Sequence, residues 1–130
     1  MGGFTLNGYF WAVEFVDPMD SLLIDREGDH TLATTDPTDR TVRISSDLTG
    51  DMLLRVLLHE IGHCALFSFG LLEDIRRMAR PEYRAEMEEW ACNLIADYGL
   101  AIFSAAYSVL GEAAIEVVPY RIEQIMRGAA

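Results

Sequence analysis

Histidine is scarce in this chain, and so are cysteine, proline and positive charge. The 130 residues hold three His, two Cys and four Pro, with ten basic residues against 21 acidic ones. Each shortage excludes something. Two Cys cannot staple a small secreted scaffold, and buried free thiols are the expectation for both. A formal net charge of −11 with no Lys/Arg cluster argues against direct contact with a nucleic-acid backbone, which demands a basic footprint. Any DNA-linked role would run through a protein partner. The first residues, Met1-Gly2-Gly3-Phe4-Thr5-Leu6, carry no basic start and no long apolar region, so no signal peptide is expected. From Tyr98 to Leu110 the chain is almost wholly apolar or small. That run is too short to span a bilayer and reads as a buried core helix, with no membrane role. The expected compartment is the cytoplasm.

What is present suits a globular domain. Hydrophobic residues make up 51% and aromatics 10% of the chain. A chain of this length fits one domain, 1–130, with a real core and no need of disulfides.

The few histidines are not scattered. Residues 58–64 read Leu58-His59-Glu60-Ile61-Gly62-His63-Cys64. On a helix, His59 and His63 share one face and can share one metal ion. Glu60 can lean over the open coordination position and take a proton from water there. This is the H-E-x-x-H arrangement of zinc hydrolases. The context is helical: Asp51 or Thr49 can cap the start, apolar residues fill 52–67, and Gly70 stops it. Two imidazoles and a carboxylate inside so apolar a helix need partners, and a metal supplies them.

Catalytic zinc takes three protein ligands and water. His30 lies in a turn-like stretch and reads as a solvated loop residue. No His follows His63. A second helix, opened by Pro81 and running to Asp97, offers Glu86, Glu88 and Glu89. Its apolar stripe is Met87, Trp90, Ala91, Leu94, Ile95 and Tyr98. Glu88 borders that stripe, Glu89 points nearly opposite, and Glu86 falls off one side. Glu88 is therefore the first choice of ligand, Glu89 the second and Glu86 the third. A solvated acidic face is the bland reading of Glu86 and Glu89. A Cys92 thiolate is a minor alternative to Glu88.

The order of a strand at 41–45, the His59–His63 motif and the stretch Glu88-Glu89-Trp90-Ala91-Cys92-Asn93 resembles compact zincin-like metallopeptidases of phage and mobile elements, including the ImmA/IrrE type. In that type a glutamate on a downstream helix completes the zinc site. It stands three before an Ala and four before a small polar residue. Glu88 keeps the first spacing through Ala91, while Cys92 stands where an Asn is common, with Asn93 one later. The resemblance covers roughly residues 40–98, and only the His-Glu-x-x-His part is sharp. It implies a zincin-like fold, one zinc, hydrolysis of a peptide or protein substrate, and Glu60 as general base. It also implies that residues 41–45 form the edge strand that receives substrate. The alternative is a zinc-containing accessory or regulatory binding protein with little turnover. A third reading is a structural zinc site closed by Cys64 or Cys92, or no metal at all.

Elsewhere, residues 9–16 and 41–45 read as strands, 21–25 as a short strand or helical turn, and 29–39 as loop. Helices are expected at 51–69, 81–97, 100–110 and 112–127, with Gly99 and Gly111 as breaks and Pro119 as a kink. The class is α+β, a small N-terminal sheet on a helical body. Tyr83, Tyr98, Tyr107, Tyr120 and Arg121 are candidates to assist an oxyanion. Asn93, Asp97 and Asp74 are candidates to orient the His rings. Oligomeric state is open.

Overall fold

The computed structural model describes residues 2–115 and 121–126. The chain divides into two compact units, Met1–Gly99 and Leu100–Ala130. The class is α+β, as expected.

The first unit opens with a sheet of four strands: β1 (Gly2–Leu6), β2 (Tyr9–Val16), β3 (Ala33–Asp36) and β4 (Thr41–Ser45). Their order is β1-β2-β4-β3. β1 and β2 form an antiparallel hairpin. Its turn places Asn7 at φ 49 and Gly8 at φ 83, the left-handed pair that a two-residue hairpin demands. β2 runs parallel to β4, and β3 is antiparallel to β4.

This order corrects two expectations. Residues 41–45 do form a strand, but β4 lies inside the sheet and is not its edge. Val42 and Ile44 have no exposed surface, and Thr41 and Ser45 are buried on the opposite face. A strand with small polar residues between apolar ones can be covered on both sides. The edges are β1 and β3, the latter in a stretch whose Thr34-Thr35-Asp36 reads as loop chemistry. Short polar strands are typical of sheet edges, where they resist unwanted pairing.

Helix α1 (Gly50–Ser68) follows β4. Thr49 takes the N-cap position, and Asp51 sits in the first turn, where the helix dipole favours a carboxylate. Phe69 caps the end, and Gly70 leaves it at φ 70. A short helix α2 (Leu72–Met78), not expected from sequence, turns the chain back. A 3-10 turn at Pro81–Tyr83 then leads into α3 (Arg84–Leu110). Gly99 does not break α3, so the helices expected at 81–97 and 100–110 are one. One interior glycine costs only about 1 kcal/mol against alanine. The helical stretch Pro81–Ala114 is long and apolar enough, by length and composition alone, to cross a membrane.

Two apolar clusters hold the first unit. In one, Trp11, Val42, Ile44 and Cys64 are fully buried, with Ala33 beside them and Phe67 packed against them. The Trp11 ring meets Phe67 edge-on at 5.7 Å, and its Nε1–H donates to Ser68 Oγ at 2.8 Å. The other joins Leu66 of α1, Ile75 and Ala79 at α2, and Cys92 of α3. Both cysteines are free and buried.

In the second unit, α3 ends at Leu110, a 3-10 turn spans Gly111–Ala114, and α4 covers Ile122–Met126. The expected helix 112–127 is therefore not continuous in its described part, and Pro119 lies outside the described residues. The expectation of a buried core helix fails here. Ile102 is 61% and Val109 81% exposed, and every described residue from Leu100 to Leu110 is exposed.

Candidate metal centre

The site begins with a close approach of two backbones. Gly62 lies one residue before His63 on α1. A Cβ built there would stand 3.1 Å from Cys92 Sγ and 3.3 Å from Cys92 Cα on α3. Glycine opposite a small buried residue lets the two helices meet. At that range the glutamates one turn before Cys92 reach His59, three residues before Gly62, and His63, one residue after it.

His59 Nε2 and His63 Nε2 converge to 3.2 Å. The Glu89 carboxylate straddles them, with Oε1 3.1 Å from His59 Nε2 and Oε2 3.0 Å from His63 Nε2. Glu88 takes a different atom: its Oε2 accepts from His63 Nδ1–H at 2.6 Å. Glu60 Oε2 is 3.9 Å from His59 Nε2. Its other oxygen, Oε1, accepts from Thr35 Oγ1–H on β3 at 2.6 Å. The Arg26 guanidinium lies 3.8 Å from Glu88 and 3.6 Å from Glu89.

These spacings suit a metal. Two ligands each about 2.0–2.1 Å from a tetrahedral ion stand roughly 3.3 Å apart. The two Nε2 atoms, 3.2 Å apart, are close to that edge length, and each has its own Glu89 oxygen at a similar range, 3.1 Å for His59 and 3.0 Å for His63. His59, Glu60 and His63 form one group able to hold an ion, and His63, Glu88 and Glu89 form another. The local field also favours a cation. Burial opposes charge on His63, but hydrogen bonds with Cys92, Glu88 and Glu89 outweigh it and push its pKa up to about 12. Hydrogen bonds from His59 and His63 hold the Glu89 carboxyl well below the usual carboxylate range. A hydrogen bond from His63 lowers Glu88 against the opposing effect of burial.

With Glu88 bonded to Nδ1–H, Nε2 of His63 is aimed at Glu89 and His59, where a metal ion would take the place of its proton. A carboxylate behind an imidazole fixes its tautomer and aim and raises its basicity as a ligand. The two neighbouring glutamates thus touch the same ring from opposite sides.

Around this centre lies a cavity of about 980 Å³, lined among others by Arg26, Thr35, Asp36, Glu60, Glu88 and Glu89. Glu86 also lines it, but belongs to neither of the groups able to hold an ion. His30 is elsewhere: it is exposed and its Nε2 meets the Pro18 carbonyl at 2.5 Å. Cys92 contacts Gly62 and does not belong to the groups able to hold an ion among the described residues. Burial, with the charge of Glu60, pushes the Cys64 thiol up to about 12, so it keeps its proton. Asp97 pairs with Arg55 at 3.4 Å, and Asp74 pairs with Arg77. Tyr83, Tyr98 and Tyr107 do not line the cavity, Arg121 belongs to the second unit, and Tyr120 lies outside the described residues. Thr35 and Arg26 carry no signal in the sequence, since each sits in a stretch that reads as loop.

No protein-family model matches this chain, and no curated protein matches it at a significant level.

Proposed function

We propose that this chain is a zinc-dependent peptidase in which His59, His63 and Glu89 hold the metal, Glu60 is the general base, and Glu88 orients His63. The observation that carries this reading is the Glu89 carboxylate within 3.1 Å of both Nε2 atoms, with Glu60 beside them. It moves the third ligand one residue on from the sequence choice of Glu88. The resemblance accommodates the move: Asn93 then stands four after the ligand, with Cys92 in place of the Ala. Bound zinc would polarise a peptide carbonyl and lower the pKa of a water toward neutrality.

The chain's own residues do the rest. Glu60 Oε2 accepts the proton of the attacking water and passes it to the leaving amine. Edge strand β3 offers a place for an extended peptide. The Ser45 N–H to Leu32 carbonyl bond, at 2.9 Å, sets the alternation of the β3–β4 ladder. Thr34 and Asp36 then bond to β4, and the main-chain groups of Ala33 and Thr35 face the open edge. Main-chain pairing there would bind peptides with little demand on their side chains.

Elemental analysis of protein purified without added metal tests the reading. Near one zinc in wild type, lost in Glu89→Ala and kept in Glu60→Gln, is the expected result. Zinc lost in Glu88→Ala but kept in Glu89→Ala would return the ligand role to Glu88. No zinc in wild type, and none taken up on titration, would sink the peptidase reading.

A further inference from the structure

The base of this site hangs from a single hydroxyl. Glu60 is buried, with its side chain 9% exposed. Among the described residues its one hydrogen-bond partner is Thr35, at 2.6 Å. A buried carboxylate with one tether has one preferred orientation only while that tether holds. The tether takes Oε1. That leaves Oε2 as the oxygen turned toward the histidine nitrogens, 3.9 Å from His59 Nε2. Loss of the tether frees the carboxylate to rotate, and either oxygen can then turn away.

Thr35 is well built for this task. Threonine is branched at Cβ and stiff about χ1, so its hydroxyl has a defined direction. The strand that carries it is pinned by antiparallel pairing with β4, Thr35 opposite Val42. The Ala33 side chain two residues before shares its face and is buried in the core cluster. One residue therefore faces two ways. Its side chain holds Glu60, and its main chain faces the open edge where an extended peptide would pair.

We propose that Thr35 is the positioning residue of this centre, orienting the general base so that its Oε2 receives the proton of the attacking water. The proposal rests on the peptidase reading for its role in turnover, but not for the contact itself. Thr35 touches neither metal ligand nor substrate side chain, so its removal should slow chemistry without loosening zinc or peptide.

The test uses zinc-loaded full-length wild type, Thr35→Val and Thr35→Ser. Valine keeps the branched shape and loses the hydroxyl; serine keeps the hydroxyl. Two readouts are taken: kcat and KM on a fluorogenic reporter peptide, and the affinity for acetohydroxamic acid, a chelator that gives its hydroxyl proton to the base. In Thr35→Val, kcat should fall on the order of 10- to 100-fold, with KM and zinc content unchanged, and the hydroxamate should bind more weakly by a similar factor. Thr35→Ser should restore both. In a Glu60→Ala background, adding Thr35→Val should cost nothing further in hydroxamate binding. Thr35→Val at the wild-type level in both readouts overturns the proposal. So does an equal loss in Thr35→Ser, which would make the effect one of shape. A wild type without turnover would count against the peptidase reading, and the hydroxamate arm would still decide whether Thr35 acts through Glu60.

Discussion

Helices α1 and α3 each carry half of the candidate centre, yet in the first unit they treat their apolar residues in opposite ways. α1 packs Leu53, Val56, Leu57 and Phe67 against the sheet core and buries Cys64 completely. α3, between Arg84 and Gly99, turns Trp90 and Tyr98 outward, 65% and 61% exposed, and fully buries only Cys92. Its contact face is small and acidic rather than large and apolar. The difference shows what selects a helix face at such a site. Hydrophobic burial chooses the face of α1. Close approach chooses the face of α3, because only small groups at Gly62 and Cys92 bring two carboxylates onto two imidazoles.

The largest expected effect lies on the α1 side of the comparison. Glu60→Gln should remove the base and lower kcat by roughly 10²- to 10⁴-fold while the bound zinc stays, checked by turnover and metal content on the same sample. On the α3 side the two neighbouring glutamates should separate. Glu89→Ala should abolish stoichiometric zinc. Glu88→Ala should keep it with affinity weakened by about 10- to 100-fold, the usual cost of losing a partner behind a ligand. Competition titration with a chromophoric chelator reads both. Equal losses would mean that the two carboxylates share the metal.

The contact between the helices comes next. Gly62→Val should push α1 and α3 apart, because even a bare Cβ at this position stands 3.3 Å from the Cys92 main chain. Overpacking of this kind costs about 1–3 kcal/mol. The denaturation midpoint should drop, and zinc affinity with it, since the glutamates move off with the helix. A stable Gly62→Val protein with full zinc affinity would show that close approach is not what positions the centre.

The part of this arrangement written in local patterns was legible in the sequence. The β2 and β4 strands match residues 9–16 and 41–45, and α1 matches 51–69 within a residue at each end. His59, Glu60 and His63 declare themselves by spacing, since a helix must place them on one face. Other features depend on contacts distant in sequence. The edge role of β3 follows from strand order, and Ala33-Thr34-Thr35-Asp36 has no apolar alternation to announce it. From sequence, Glu88 ranks over Glu89 only if the apolar stripe of α3 faces inward. Apart from Ala91 that stripe is exposed, and both glutamates reach the histidines. Thr35 could not be found from sequence, because its importance comes from Glu60, 25 residues away.

The smallest effect bears most directly on the difference between the helices. If α3 were a conventional amphipathic helix, Trp90 would be a core anchor, and its truncation to alanine would cost about 3–5 kcal/mol. With Trp90 65% exposed, Trp90→Ala should change stability by no more than about 0.5 kcal/mol, the range of an ordinary surface substitution. Zinc content and kcat should both be unchanged, because Trp90 is largely exposed and does not line the cavity around the centre. Chemical denaturation of the isolated chain checks it. A loss of several kcal/mol would mean that this face is covered in solution and that α3 is packed on both sides. The two helices would then differ only in what covers them, and the small, acidic face of α3 would no longer stand out as the one chosen for contact.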